Sequence, residues 1–183
     1  QDVSQVPPGA RLEIAMDSFA CGEITHPEPI RWYSPEPSEE AFGLTLEEAA
    51  PHLRELLRDS VRLRLRADVP VGSCLSGGLD SSSIVCLIDE RLRTQDNPPP
   101  QNTFSARAED PELDETPWME EVLKGRNLNP AFVMPKFEDL ETSFSDLVRS
   151  HDEPFGSASI FIQNLVFGLA REAGVKVVLD GQG

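Results

Sequence analysis

The chain has 183 residues, 39% hydrophobic and 26% charged, with 32 acidic against 16 basic side chains and a formal net charge of -16. Such a length and balance suit one globular domain with room for an extra arm, and exclude a disordered composition. The acidity argues against a nucleic-acid partner, which needs a positive face, and no apolar run reaches the ~18 residues of a membrane span.

The first residues, QDVSQVPPGA, carry no basic segment followed by an apolar one, so no signal peptide is expected. They also lack an initiator Met, and the sequence reads as an internal fragment. Cys21, Cys74 and Cys86 have no metal-ligand spacing. They read as buried, reduced thiols of a cytoplasmic protein.

Residues 1–40 contain Pro7, Pro8, Pro27, Pro29, Pro35 and Pro37. Proline denies regular helix there, which leaves an extended arm or linker with pieces such as Arg11 to Met16 and room for a hairpin. Thr45-Leu46-Glu47-Glu48 fits a capping box. Leu46, Ala49, Ala50, Leu53, Leu56, Leu57 and Val61 follow at helical spacing, although Pro51 points to a later start. Arg54, Arg58, Arg62, Arg64 and Arg66 read as a solvated helix face, with contact to another domain as the alternative. Val69 to Leu75 is a strand, and a helix from Ser81 presents Ile84, Val85, Ile88 and Leu92. Thr103 to Ala106 is the next strand. Thr116, as cap, and Pro117 open a helix with Trp118, Met119, Val122 and Leu123 on its apolar side. Ala131 to Met134 is a strand. Phe137, Leu140, Phe144, Leu147 and Val148 mark one helix, and Ile160, Phe161, Leu165, Val166 and Leu169 another, which ends at Gly174. Val175 to Leu179 is the last strand. Strands alternating with amphipathic helices predict an α/β fold, a parallel sheet with helices on both faces, with ligands at the carboxyl ends of its strands.

The informative segment is Ser76-Gly77-Gly78-Leu79-Asp80-Ser81-Ser82, between a strand and a helix. Its glycines let backbone amides approach an anion. The helix N-terminus adds unpaired N–H groups, and Ser76, Ser81 and Ser82 add hydroxyls, so phosphate binding follows. It is not a Walker A loop: Gly72 and Gly77 are correctly spaced, but Gly78 and Leu79 stand where Lys and Ser/Thr belong. Without that lysine another cation is needed, and Asp80 could hold Mg²⁺ beside the phosphates. The plainer reading makes Asp80 or Ser81 a helix cap. His26, His52 and His151 have no triad-like context.

SGGLDSS is similar to the pyrophosphate loop of the N-type ATP pyrophosphatases. With Asp68-Val69-Pro70-Val71-Gly72 before it, it resembles the synthetase domain of the glutamine-dependent asparagine synthetases. Val6-Pro7-Pro8-Gly9 resembles the end of that family's glutaminase domain and Arg31-Trp32-Tyr33 the bridge after it. Thr103-Phe104-Ser105, Asp152-Glu153-Pro154 and Val177 to Gly183 resemble later blocks. The resemblance implies an adenine nucleotide alpha hydrolase-like fold, with residues 1–40 an arm from a glutaminase domain and 41–183 a synthetase domain cut short at its C-terminal end. It implies that ATP adenylates a carboxylate, that of aspartate in the family, with release of pyrophosphate. Ammonia from glutamine, supplied by the glutaminase domain of the same chain, then attacks. Ser76, Gly77, Gly78, Asp80, Ser81 and Ser82 would hold pyrophosphate and Mg²⁺. Leu75, Ala106, Asp180 and Gly181 match backbone positions that contact the nucleotide. A homodimer is compatible with this reading, and the sequence does not fix the oligomeric state.

The sequence departs from the family where Asp180 and Gln182 replace the usual Ser and Glu, and over Phe155 to Phe161. The acceptor therefore stays open between aspartate and another carboxylate. A non-catalytic nucleotide-binding module is the reading from a different class. A tRNA-modifying enzyme is disfavoured by the charge and the lack of a Cys-x-x-Cys pair.

Overall fold

A computed structural model describes residues 4–17, 27–152 and 155–181. The expectations for Cys21, His26, Glu153, Pro154, Gln182 and Gly183 fall outside them. Contacts divide the chain into two units, Gln1–Ala50 and Pro51–Gly183. Among the described residues no helix is long and apolar enough to cross a membrane.

In the first unit β1 (Ala10–Arg11) pairs antiparallel with β2 (Ile30–Arg31). Pro7, Pro8 and Pro29 flank this ladder, and proline nitrogen cannot donate to it, so it stays short. The extended piece expected over Arg11 to Met16 is strand only at Arg11, and Met16 and Asp17 are helical. A 3-10 turn at Glu39–Gly43 precedes α1 (Leu46–Arg64). The capping box forms as expected. The Thr45 amide donates to Glu48 Oε2 at 2.9 Å, and the Glu48 amide to Thr45 Oγ1 at 3.3 Å. The Thr45 amide first, and then the Thr45 hydroxyl, which also donates to Glu48 Oε2 at 2.9 Å, lower the Glu48 carboxyl below its ordinary pKa. The helix does not wait for Pro51, which lies inside it. With the first turn fixed by the cap, the helix carries Pro51 at the cost of the bond its missing N–H would have made and of its ring crowding the Glu47 carbonyl.

The second unit is an α/β domain. Its sheet has the order β5-β4-β3-β6, all parallel, from β3 (Val71–Cys74), β4 (Gln101–Ala106), β5 (Leu128–Val133) and β6 (Val177–Leu179). Between the strands run α2 (Leu79–Leu92), α3 (Thr116–Leu123), α4 (Phe137–His151) and α5 (Ser159–Glu172). Strand alternation sorts the side chains between two faces. On one face Phe104 packs with Val166 and Ala170 of α5 and with Val175. On the other, Leu75 packs with Val85 of α2 and Met119 of α3. Burying Phe104, 1% exposed, contributes about 1.5–3 kcal/mol. The α2–α3 face also buries a polar row, Ser73, Thr103 and Ser105, in which Gln101 Nε2 donates to Ser73 Oγ at 2.8 Å.

Several apolar side chains lie elsewhere than their periodicity suggested. In the part of α1 that belongs to the second unit, Leu57 and Val61 pack on α2, as does Leu65 just past the helix end, whereas Leu53 and Leu56 are exposed. A single neighbouring helix covers a narrow stripe and leaves the rest of the face open. Trp118 is likewise exposed while Met119 is buried, since successive helical residues point about 100° apart. Thr116 is not the cap of α3. It is the first helical residue, and its amide and hydroxyl donate to Asp114 Oδ1 at 3.1 and 2.6 Å. The Thr116 hydroxyl is the main reason the Asp114 carboxyl titrates below its ordinary pKa. Arg54, Arg58 and Arg62 of α1 are exposed and ion-paired, to Glu90 at 2.5 Å, Glu55 at 2.5 Å and Asp59 at 2.6 Å, whereas Arg64 donates to Ser60 Oγ at 2.6 Å.

Candidate functional site

β3 is the first strand of its sheet in chain order, with β4 on one side and β6 on the other. The strand order thus reverses between β3 and β6, and such a switch point opens a crevice at the carboxyl ends. The chain leaves β3 into Ser76–Gly78 and enters α2 at Leu79. Gly77 has φ +87°, and a β-carbon on it would stand 3.1 Å from Glu115 O and Trp118 Cβ. Only glycine takes that conformation without strain.

The loop is held from within by hydroxyls. The Ser76 amide donates to Ser81 Oγ at 3.2 Å, the two serine hydroxyls are 2.9 Å apart, and the Gly78 amide donates to Ser76 Oγ at 3.3 Å. Ser81, expected as a donor to phosphate, is 5% exposed and spends its hydroxyl on these bonds. The Ser82 amide closes the first helical bond onto Gly78 O at 3.1 Å. The amides of Leu79, Asp80 and Ser81 precede that bond, so no carbonyl among the described residues pairs with them at the positive end of α2. Asp80, in the first turn, is exposed.

Two cavities meet here. One of about 270 Å³ is lined by Ser76, Gly78, Asp80, Ser81, Asp180 and Gly181. The other, about 440 Å³, is mostly apolar and includes Leu75, Phe104, Ala106, Met119, Ile162 and Val166. Ser76 and Asp180 line both. Gly181 admits the close approach of the β6 end: a β-carbon there would stand 2.6 Å from the Ser81 amide nitrogen. Of the residues singled out in the sequence, Leu75, Ser76, Gly78, Asp80, Ser81, Ala106, Asp180 and Gly181 line the two cavities. Gly77 shapes the loop, and Ser82 sits one position beyond the free amides.

Sequence reasoning missed Gln163 of α5, whose Nε2 donates to Asp180 Oδ2 at 3.2 Å. Its signal was a polar residue inside the apolar run Ile160 to Leu169. Arg107 was also missed. It lines the larger cavity, and its guanidinium lies 3.9 Å above the Phe132 ring centroid.

Cys74 and Cys86 are free thiols, half-buried rather than buried. Cys74 opens onto the larger cavity, and burial, aided by the Asp180 charge, pushes it up to about 12. His52 is on the surface. His151 ends α4 edge-on to Phe155 at 5.5 Å, ahead of Asp152, which has φ 61°.

The comparisons with known proteins agree with this geometry. A family model for asparagine synthase matches residues 52–183. A putative glutamine-hydrolyzing asparagine synthetase of Methanocaldococcus jannaschii is 39% identical over 133 residues, 71% of this chain and 24% of its own length. The glutamine-hydrolyzing asparagine synthetase 1 of Bacillus subtilis is 28% identical over 184 residues, 99% of this chain and 26% of its own. Amidase chyE of Penicillium rubens is 29% identical over 146 residues, 75% of this chain and 22% of its own. The chain spans about a quarter of the length of these relatives. The model match covers nearly all of the parallel-sheet unit, with its glycine loop, switch point and paired cavities, and the chain belongs to the asparagine synthase family.

Proposed function

We propose that this chain is the nucleotide-binding part of an ATP-dependent, amide-forming synthetase that adenylates a carboxylate and releases pyrophosphate. The observation that carries the reading is the junction of a phosphate-sized cavity, at the free amides of α2, with a larger apolar cavity at the strand ends. The asparagine synthase family uses ATP. A purine fits the apolar walls, and the pyrophosphoryl group fits the loop. The backbone supplies orientation and fixed positive partial charge for the leaving group.

Asp80 fits Mg²⁺. It is an exposed carboxylate on the wall of the smaller cavity, and Mg²⁺ is ordinarily held by one or two carboxylates together with substrate phosphates. Among the described residues no group of three or more His, Cys, Asp or Glu could hold a metal without such help. The ion, when bound, would neutralise charge on the departing pyrophosphate. Aspartate is the first acceptor to test, with ammonia drawn from glutamine by a glutaminase domain of the same protein. Asp180 in place of the usual Ser, and a relative named an amidase, favour a second reading in which another carboxylate is activated.

The test is exchange of radiolabelled pyrophosphate into ATP by the full-length protein, with aspartate or a panel of other carboxylates. Carboxylate-dependent exchange is expected. ATP binding without exchange for any carboxylate would reduce the domain to a nucleotide-binding module.

A further inference from the structure

Resting on that reading, we infer that the Asp180 carboxylate, braced by Gln163, holds the ribose diol of the nucleotide and so selects ribonucleotides over deoxyribonucleotides. A nucleotide with its base in the larger cavity and its phosphates in the smaller must place its sugar where the two meet. That junction is made by the residues common to both, Ser76 and Asp180. Ser76 is committed to the loop, since its hydroxyl meets Ser81 Oγ and accepts from the Gly78 amide. Asp180 has the capacity that Ser76 lacks. Its Oδ1 accepts from the Gly181 amide at 2.7 Å and its Oδ2 from Gln163 Nε2 at 3.2 Å. These bonds use one acceptor site on each oxygen, and an ionised carboxylate offers about two per oxygen. What is left is a pair of adjacent acceptors, the complement of two vicinal hydroxyl donors. Hydrogen bonds to a charged group are the stronger kind.

The arrangement also defines the two partners separately. Gln163 comes from α5 and Asp180 from the end of β6, so their bond ties the carboxylate to the helix that covers the larger cavity. Gln163 is a positioning residue, and Asp180 makes the contact with the sugar.

The experiment is calorimetry on the full-length protein in saturating Mg²⁺, with ATP, 2′-deoxy-ATP and inorganic pyrophosphate as titrants. The wild type is expected to bind ATP about tenfold more tightly than 2′-deoxy-ATP, the loss expected for one hydrogen bond to a charged group. Asp180→Ala should abolish the discrimination, so that ATP and 2′-deoxy-ATP bind equally and both more weakly than ATP binds the wild type, and leave pyrophosphate affinity unchanged. Gln163→Leu should narrow the same discrimination by a smaller factor. Equal binding of ATP and 2′-deoxy-ATP by the wild type would overturn the inference, and needs no variant to fold. So would a loss of pyrophosphate affinity in Asp180→Ala as large as its loss of ATP affinity, since the carboxylate would then serve the phosphates. Failure of the wild type to bind ATP at all would instead strike the nucleotide-site reading beneath.

Discussion

Gly181 and Ser81 are in near contact: a β-carbon on Gly181 would lie 2.6 Å from the Ser81 amide nitrogen and 2.9 Å from the Asp80 carbonyl carbon. The end of β6 thus presses against the first turn of α2, the turn to which the proposed function assigns the pyrophosphate. Backbone atoms on both sides cannot yield as a flexible side chain would. Gly181→Ala is expected to displace the strand end, with a stability loss of about 1–3 kcal/mol and a fall in pyrophosphate affinity of about tenfold, some 1.4 kcal/mol. Urea unfolding and calorimetry measure the two effects. Unchanged pyrophosphate binding would show that the contact does not shape the anion site.

The N-cap of α2 is Gly78 and no side chain caps it, so Asp80 is not the helix cap the sequence allowed; Asp80→Asn keeps the shape of this first-turn side chain but removes its charge. Stability should fall by no more than about 1 kcal/mol, the worth of a negative charge in a first helical turn, and the Mg²⁺-dependent part of pyrophosphate binding should be lost. Calorimetry with and without Mg²⁺ decides this. Equal affinity of both proteins at saturating Mg²⁺ would leave Asp80 only a role at the helix end.

Gly77→Ala puts a side chain at φ +87° and against Glu115 O. A left-handed residue costs about 1–2 kcal/mol, so the midpoint of urea unfolding should fall by at least that equivalent. A fully stable variant with intact pyrophosphate binding would mean that the loop adopts another backbone path.

The two sheet faces and the open side of α1 make a paired prediction. Phe104→Ala should cost about 3–5 kcal/mol, as truncation of a buried aromatic does. Leu56→Ala, at 70% exposure, should change stability by less than about 0.5 kcal/mol. Chemical denaturation of both variants tests the assignment. A large loss for Leu56→Ala would show that its face of α1 is covered.

Cys74 supplies a pH test. Burial first, and the Asp180 charge second, raise its pKa from 9.0 to about 12. The folded value exceeds the unfolded one, so the contribution to stability is complete below about pH 9 and is lost as pH rises toward 12. At pH 8 the thiol should therefore alkylate far more slowly than in unfolded protein, because the thiolate is the nucleophile. Bound ATP should slow it further, since Cys74 lines the larger cavity. Mass-spectrometric labelling rates check both points, and rapid labelling of folded Cys74 would contradict its environment.

What the sequence determined by itself was local. The strand, glycine loop and helix around Ser76 to Ser82 follow from adjacent residues: apolar β-formers, two glycines, then a helical stripe at Ile84, Val85 and Ile88. The capping box at Thr45 and Glu48 spans four residues and was equally legible. The alternation of strands and helices was enough for the parallel sheet. Only the tertiary structure decided which residues meet across the fold. Asp180 reaches the loop because β6 pairs with β3 at Gly72 and Val178, a register no local pattern encodes. Gln163 turns to Asp180 because α5 packs on the Phe104 face. The same limit explains Leu53 and Leu56. Periodicity shows that a helix has an apolar side, but the neighbouring surface decides how much of that side is covered.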